Sequence, residues 1–409
     1  MPKTRAIAFY LPQYHPIPEN DEWWGKGFTE WRNVVSARPL FPGHYQPHIP
    51  ADLGFYDLRL PEAREAQAAL AREHGIHGFC YYHYWFNGRR VLERPFNEVL
   101  ASGKPEFPFC LCWANENWTR VWDGGDKHVL LEQNYSTADD VEHFNSLIPA
   151  FLDKRYIRID GRPLFLVYRA ELLPDPARTA EIWRDLARRA GIGEIYLAKV
   201  ENLESYDPGT IGFDASVEFA PDNVTIGKIL YRDRVSRWLA AARVIPRAYL
   251  DHTVSHYGAL AEGMMRRESP EFNRFRCVTP GWDNTARRKQ GGWIYVESTP
   301  EKFGEWLRSA VRKTEARFQG DERIVFINAW NEWAEGNHLE PDLEWGRAYL
   351  EQAKSVLVEH PPGTPAQEKR VQGPRDRDPT IIRRLYWRVR HHLREQKRFL
   401  KTVLLRRRP

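Results

Sequence analysis

What most constrains this chain is a series of eight short apolar runs: residues 5–10 (RAIAFY), 78–84 (GFCYYHY), 108–114 (PFCLCWA), 163–169 (PLFLVYR), 194–200 (EIYLAKV), 213–219 (FDASVEF), 276–282 (RCVTPGW) and 324–330 (IVFINAW). None alternates apolar with polar residues, as a strand with one wet face would, so each reads as a parallel strand covered on both sides. Helical periodicity fills most of the gaps, at 61–74, 137–152, 176–190 and 300–316, and three of these segments open on a proline, which suits the first helical turn. Eight strand-helix units predict an α/β fold, a (β/α)8 TIM barrel with long loops at the carboxyl ends of its strands. A doubly wound sheet is the alternative. The weakest link is 201–212, between the fifth and sixth runs, which is too short for a full helix and its loops.

With 409 residues, 42% of them hydrophobic, the chain can bury a large core. Its charge is unevenly spread: residues 369–409 hold fifteen Lys and Arg against three acids, so a tail of +12 follows a body of −7. The proline-rich stretch 361–379 reads as a linker, which gives a barrel at 1–360, the linker, and a basic tail at 380–409. In the tail Ile382, Leu385, Val389, Leu393, Leu400 and Val403 recur at mostly three- and four-residue intervals, the pattern of an amphipathic helix lying in an anionic membrane interface. Nucleic acid is not an expected partner, because the acidic body adds no second basic surface. No run nears the roughly 20 apolar residues of a membrane span, and no apolar region of a signal peptide follows the basic start. Cys80, Cys110, Cys112 and Cys277 all sit in apolar runs and read as buried free thiols. The expected location is cytoplasmic, peripheral at the inner face of the plasma membrane through the tail.

Active sites of such barrels lie at the carboxyl ends of the strands. There the chain places DEWWGKGFTEW after the first strand, HYWFNGR on the second, WANENWTRVWDGGD on the third, Glu218 on the sixth, WDNTARR on the seventh and FINAWNEWAEGNHLEPD on the eighth. Eleven of the sixteen tryptophans (23, 24, 31, 85, 113, 118, 122, 282, 293, 330 and 333) fall on these ends or the loops after them, where a core would scatter them. Indole faces beside amides and carboxylates suit a sugar, whose C–H faces stack while its hydroxyls hydrogen-bond. The candidate substrate-binding residues are Tyr10, Gln13, His15, Trp23, Trp31, Tyr82, His83, Tyr84, Trp113, Asn115, Glu116, Asn117, Trp118, Arg120, Asp126, Glu218, Trp282, Asp283, Trp330, Asn331, Trp333 and His338. An oligosaccharide or polysaccharide is the expected partner, and no cofactor or metal site is expected.

Glu332 and Glu335 are the catalytic candidates. Three apart on a tight loop, they face the same way with β-carbons roughly 5–6 Å apart. Cleaving a glycosidic bond needs one carboxyl to protonate the leaving oxygen and a second to act as base or nucleophile, about 5–5.5 Å away in retaining enzymes. Proximity also splits two pKa values, giving an acid and a base at one pH. The plainer reading is an acidic pair favouring a following helix dipole. The strand-end position and the flanking Trp330, Trp333 and His338 favour catalysis.

Four long motifs in order, FYLPQYHPIPENDEWWGKGFTEW, CYYHYWFNGRRVLERPFNEVL, PFCLCWANENWTRVWDG and WNEWAEGNHLEPD, resemble the WbsX-like proteins of bacterial surface-polysaccharide gene clusters, a group related to glycoside hydrolase family 99. The resemblance covers about residues 4 to 358. It implies a (β/α)8 barrel with the retaining endo-α-mannosidase or mannanase activity of family 99, whose E-x-x-E glutamates match Glu332 and Glu335. By that analogy Glu332 deprotonates the sugar 2-hydroxyl and Glu335 protonates the leaving oxygen. Two other functions stay open: a glycosyltransferase of O-antigen, lipopolysaccharide or capsule assembly, and a non-catalytic glycan-binding barrel. No Gly-rich nucleotide loop follows the first strand.

Overall fold

The computed structural model describes residues 4–120, 125–201, 205–222, 225 and 227–359. Eight strands fall on the eight apolar runs: β1 (Arg5–Tyr10), β2 (Ile76–Phe86), β3 (Phe109–Trp113), β4 (Arg162–Val167), β5 (Tyr196–Glu201), β6 (Ala215–Glu218), β7 (Arg274–Val278) and β8 (Ile324–Ile327). Each pairs in parallel with the next, and β8 pairs with β1, so the sheet closes on itself. Closure rules out the doubly wound alternative and gives the expected TIM barrel.

Outer helices follow most strands: α1 (Pro61–Glu73), α2 (Arg94–Ser102), α3 (Thr137–Leu152), α4 (Pro176–Arg189), α5 (Tyr257–Arg266), α6 (Pro300–Arg317) and α7 (Ala348–Lys354). Local chemistry sets their starts. Pro61, Pro176 and Pro300 occupy first turns, and the side chains of Ser136, Asp175 and Thr299 accept from the amides of Asp139, Arg178 and Lys302. Between β5 and β6 the described residues hold only a 3-10 turn, Pro208–Ile211, as the short connection required.

Strand alternation then sorts the side chains. Phe9 meets Tyr82, Phe219 and Phe326 inside the barrel, with centroids 5.6, 6.2 and 5.5 Å away. Their neighbours Tyr10 and His83 turn outward to the helices: the Tyr10 hydroxyl donates to Gln67 of α1 at 2.7 Å, and His83 stacks on His143 of α3. The four cysteines are buried and free. No helix among the described residues is long and apolar enough to cross a membrane. The linker at 361–379 and the basic tail lie outside the described residues.

Candidate active site

After β8 the chain forms a two-residue hairpin, Asn331–Glu332 against Asn337–His338, around a 3-10 turn at Trp333–Glu335. Asn331 anchors it to the end of β1: its Oδ1 accepts from the Leu11 amide at 2.8 Å and its Nδ2 donates to the Leu11 carbonyl at 3.0 Å. The Tyr14 hydroxyl donates to the Asn331 carbonyl at 2.7 Å and accepts from the Trp333 amide at 3.1 Å. Gly336 closes the turn at φ 57°, and a Cβ there would lie 3.1 Å from both Cβ and N of Asp283. Only glycine meets both demands without strain.

This turn delivers Glu332 and Glu335 to one cation. Arg287, in the loop after β7, donates from Nη1 to Glu335 Oε1 at 2.6 Å and from Nη2 to Glu332 Oε2 at 2.9 Å. Its Nε and Nη2 also reach the two oxygens of Glu30, at 3.1 and 3.2 Å. The Arg287 side chain is 13% exposed and Glu30 is fully buried, so one guanidinium faces three carboxylates with little water. Burial raises the pKa of Glu332 and Glu335, Arg287 pulls both back, and both remain above the ordinary glutamate value. Both carboxyls therefore give up their protons at higher pH than exposed glutamates do. Arg287 and Glu30 were not among the sequence candidates. The signal was present, since two buried acids need a cation and Arg287 lies in the WDNTARR segment that ends the seventh strand.

The barrel mouth carries some of the expected aromatic faces. Tyr82 and Tyr84 lie on the inward side of β2; burial first, and then charges that include Glu332, raises both phenols. Tyr84, Trp23 and Phe86 meet Trp118 edge to face, at 5.1, 5.9 and 5.8 Å, in a half-buried aromatic wall. Glu116 forms an ion pair with Arg169, and Asn117 Oδ1 accepts from the Gln133 amide at 2.7 Å. Trp122 and the side chains of Arg120 and Asp126 lie outside the described residues.

Other candidates pack into the protein interior. Tyr10, Trp113 and Trp330 are buried, Trp113 against His143 and Trp183, Trp330 against Phe79. Trp31 and Trp333 pack beneath the acid-pair turn 5.7 Å apart, their indole N–H groups donating to the Tyr56 carbonyl and to Glu340. His83 lies against His143 with ring nitrogens 3.0 Å apart. Asn115 ties β3 to β4 by accepting from the Arg169 amide and donating to its carbonyl, both at 2.8 Å. Gln13 and His15 are buried in the loop after β1. Glu218 is a correction with a plain cause. Its neighbour Phe219 takes the inward side, so Glu218 faces Arg276 at 2.7 Å and Arg274 at 3.5 Å, away from the mouth.

Beside the acid pair lies a cavity of about 1620 Å³, lined among others by His44, His48, Trp282, Asp283, His338 and Asp342. Asp283 accepts from His44 Nε2 at 2.6 Å, Gln46 Nε2 at 2.8 Å and the Thr285 hydroxyl at 2.6 Å. Burial opposes the Asp283 carboxylate, but these hydrogen bonds outweigh it and hold the group below its ordinary value. The Asp283 amide donates to the Glu335 carbonyl at 2.6 Å, which joins the cavity wall to the acid-pair turn. Below the turn, Glu340 accepts from Trp333 Nε1, the Tyr56 hydroxyl and Gln67 Nε2 at 2.7, 2.8 and 2.7 Å, and burial pushes its carboxyl up to about 7.

Comparison with solved structures matches this architecture. A glycoside hydrolase-like protein superposes with a TM-score of 0.53 at 14% identity, over 87% of this chain and 94% of that one. The GH99 endo-alpha-mannosidase from Bacteroides thetaiotaomicron, in complex with bis-tris propane, gives 0.52 at 15%, over 87% and 97%. At such identities the likeness is one of fold alone, a (β/α)8 barrel. In sequence, the uncharacterized protein WxcX of Xanthomonas campestris pv. campestris is 47% identical over 361 residues, 88% of this chain and 50% of that protein. This chain thus spans about half the length of WxcX. Residues 6–353 match the family described as glycosyltransferase WbsX, and with so much of the barrel covered, the chain belongs to that family.

Proposed function

We propose that the chain is a retaining glycoside hydrolase or transglycosylase acting on α-manno- or α-rhamno-configured linkages of a bacterial polysaccharide or lipid-linked oligosaccharide. The observation that carries this reading is the placement of Glu332 and Glu335 on adjacent prongs of one buried guanidinium at the carboxyl end of β8. Side by side, two carboxyls that burial raises can divide the work of acid and base. Glu332 takes the 2-hydroxyl proton as O2 attacks C1, the bond from C1 to the leaving oxygen breaks, and Glu335 protonates that oxygen. Water then attacks C1 of the 1,2-anhydro sugar and gives its proton to Glu335, while the bond from C1 to O2 opens and O2 recovers its proton from Glu332. Two inversions give net retention. The internal attack needs O2 trans to the leaving group, as in α-mannosides and α-rhamnosides. Tyr84 and Trp118 supply stacking faces nearby.

The family description favours a second reading, glycosyl transfer. With a sugar hydroxyl in place of water in the second step, the same carboxylates perform it; a nucleotide-sugar donor would instead need a diphosphate site. Incubation with mannose- and rhamnose-containing oligosaccharides, followed by proton NMR of the first-formed anomer, separates the outcomes. Retained configuration is expected. An inverted first product, or turnover only with a nucleotide sugar, refutes the hydrolytic reading. Glu332→Gln and Glu335→Gln should each lower turnover at least ~10²-fold. A nitrophenyl leaving group should rescue Glu335→Gln alone, and equal rescue of both defeats the division of roles.

A further inference from the structure

Outside the acid pair, three side chains from two loops bring donor atoms to one point. His48 comes from the loop between β1 and α1, His338 and Asp342 from the segment after the catalytic turn, and one donor atom of each lies within 4.8 Å of the others. His48 Nδ1 is 2.8 Å from His338 Nε2, which is 3.8 Å from Asp342 Oδ2. We propose that His48 Nδ1, His338 Nε2 and Asp342 Oδ2 form a site for a divalent transition metal such as Zn²⁺, which two imidazoles and a carboxylate suit.

The surrounding hydrogen bonds orient the ligands as metal ligands require. His338 Nδ1 lies 2.9 Å from the Glu340 carbonyl, which can only accept, so the proton sits on Nδ1 and Nε2 carries the lone pair. The same ring is stacked on Trp333 with centroids 3.7 Å apart. Asp342 Oδ1 accepts from the Trp345 and Glu344 amides at 2.6 and 3.1 Å, which leaves Oδ2 for the cluster. The hydrogen between the two imidazoles then belongs to His48 Nδ1. A metal ion takes its place: that proton moves to His48 Nε2, and both lone pairs bond the ion. Bond lengths of about 2.0–2.2 Å in a tetrahedral site put ligand atoms roughly 3.3–3.5 Å apart. The two histidines need to open by about half an ångström, His338 and Asp342 to close by about as much, and His48 and Asp342, within 4.8 Å of each other, to close by up to about 1.3 Å.

All three residues line the cavity, so the fourth position faces it and is open to water or to an oxygen of a bound sugar or phosphate. Through His338 and its stack on Trp333, the ion fastens the 41–48 loop to the turn that carries Glu335. The site does not depend on the assignment of the acid pair, because metal binding is measured without turnover.

The full-length chain, free of any histidine tag and stripped with a chelator, is titrated with Zn²⁺ by calorimetry and with Co²⁺ by visible absorption. One Zn²⁺ per chain and the strong d–d bands of low-coordinate Co²⁺ are expected. His48→Ala and Asp342→Asn should each weaken Zn²⁺ binding at least ~100-fold, the upper range for losing even an outer-shell partner. His256→Ala, elsewhere on the cavity wall, should bind as the parent does. Should His48→Ala fail to fold, His48→Gln keeps a hydrogen-bonding side chain and should show the same loss. No stoichiometric Zn²⁺ binding by the parent chain, or unchanged binding in the folded His48 and Asp342 variants, overturns the proposal.

Discussion

Replacing Arg287 by methionine keeps much of the side-chain volume and removes the cation from Glu30, Glu332 and Glu335. Removing one partner from a buried charge cluster costs about 3–5 kcal/mol. Here the cost should depend on pH, and its sign follows from the titrations. Burial raises Glu332 and Glu335 above their unfolded values, so each contributes stability that is present below the ordinary glutamate pKa and is lost as pH rises through the folded value. Arg287 lowers both folded values, so its removal raises them further. At pH 5 Glu332 and Glu335 lie nearer their protonated forms in the variant and need less from a cation. At pH 8 they must hold protons against the solvent or ionise unpaired, and the full penalty applies. An unfolding entropy of about 2.1 cal/mol/K per residue gives roughly 0.7 kcal/mol/K for a barrel of this size, so the penalty corresponds to a Tm loss of about 4–7 °C at pH 8. Calorimetric melts of parent and variant at pH 5, 6.5 and 8 measure it. A Tm difference that is constant with pH, or larger at pH 5, refutes the argument that Arg287 serves as counter-charge to the acid pair.

Trp118→Ala should weaken oligosaccharide binding with little change in Tm, whereas Trp113→Ala, fully buried, should cost about 3–5 kcal/mol; calorimetric titration and melting of the two variants distinguish a ligand face from a core residue. Glu340→Gln tests the group beneath the turn. Burial raises this carboxyl from 4.5 to about 7, so the parent loses stability as pH rises through that value, and the amide variant, which lacks the loss, should gain Tm relative to the parent between pH 5 and pH 8. Gly336→Ala forces a side chain into a left-handed backbone 3.1 Å from Asp283, and should cost about 1–3 kcal/mol together with a fall in activity as the Glu335 turn shifts. Parent-like Tm and turnover in that variant would show that the turn accommodates a Cβ.

The strands and helices of the barrel were legible in the sequence because their signals are local, whereas the pairing of β8 with β1 that closes the sheet was decided by the tertiary structure. Short apolar runs without polar alternation fit strands covered on both sides, prolines and capping residues mark helix starts within a few residues, and the short link at 201–212 left no room for another helix. The acid pair was legible for the same reason: Glu332 and Glu335 share one turn, so their spacing is a local property. Which face a side chain takes is not local in that sense. A shift of one residue sent Tyr82 and Tyr84 to the mouth and His83 to the helices, and turned Glu218 away toward Arg276. Composition gathered tryptophans at one rim, but only packing separated Trp118 in the wall from Trp113 and Trp330 in the core. The charge that completes the site is still more distant, since Glu30, Arg287 and Glu335 come from three different loops and meet only because the closed sheet sets the ends of β1, β7 and β8 side by side.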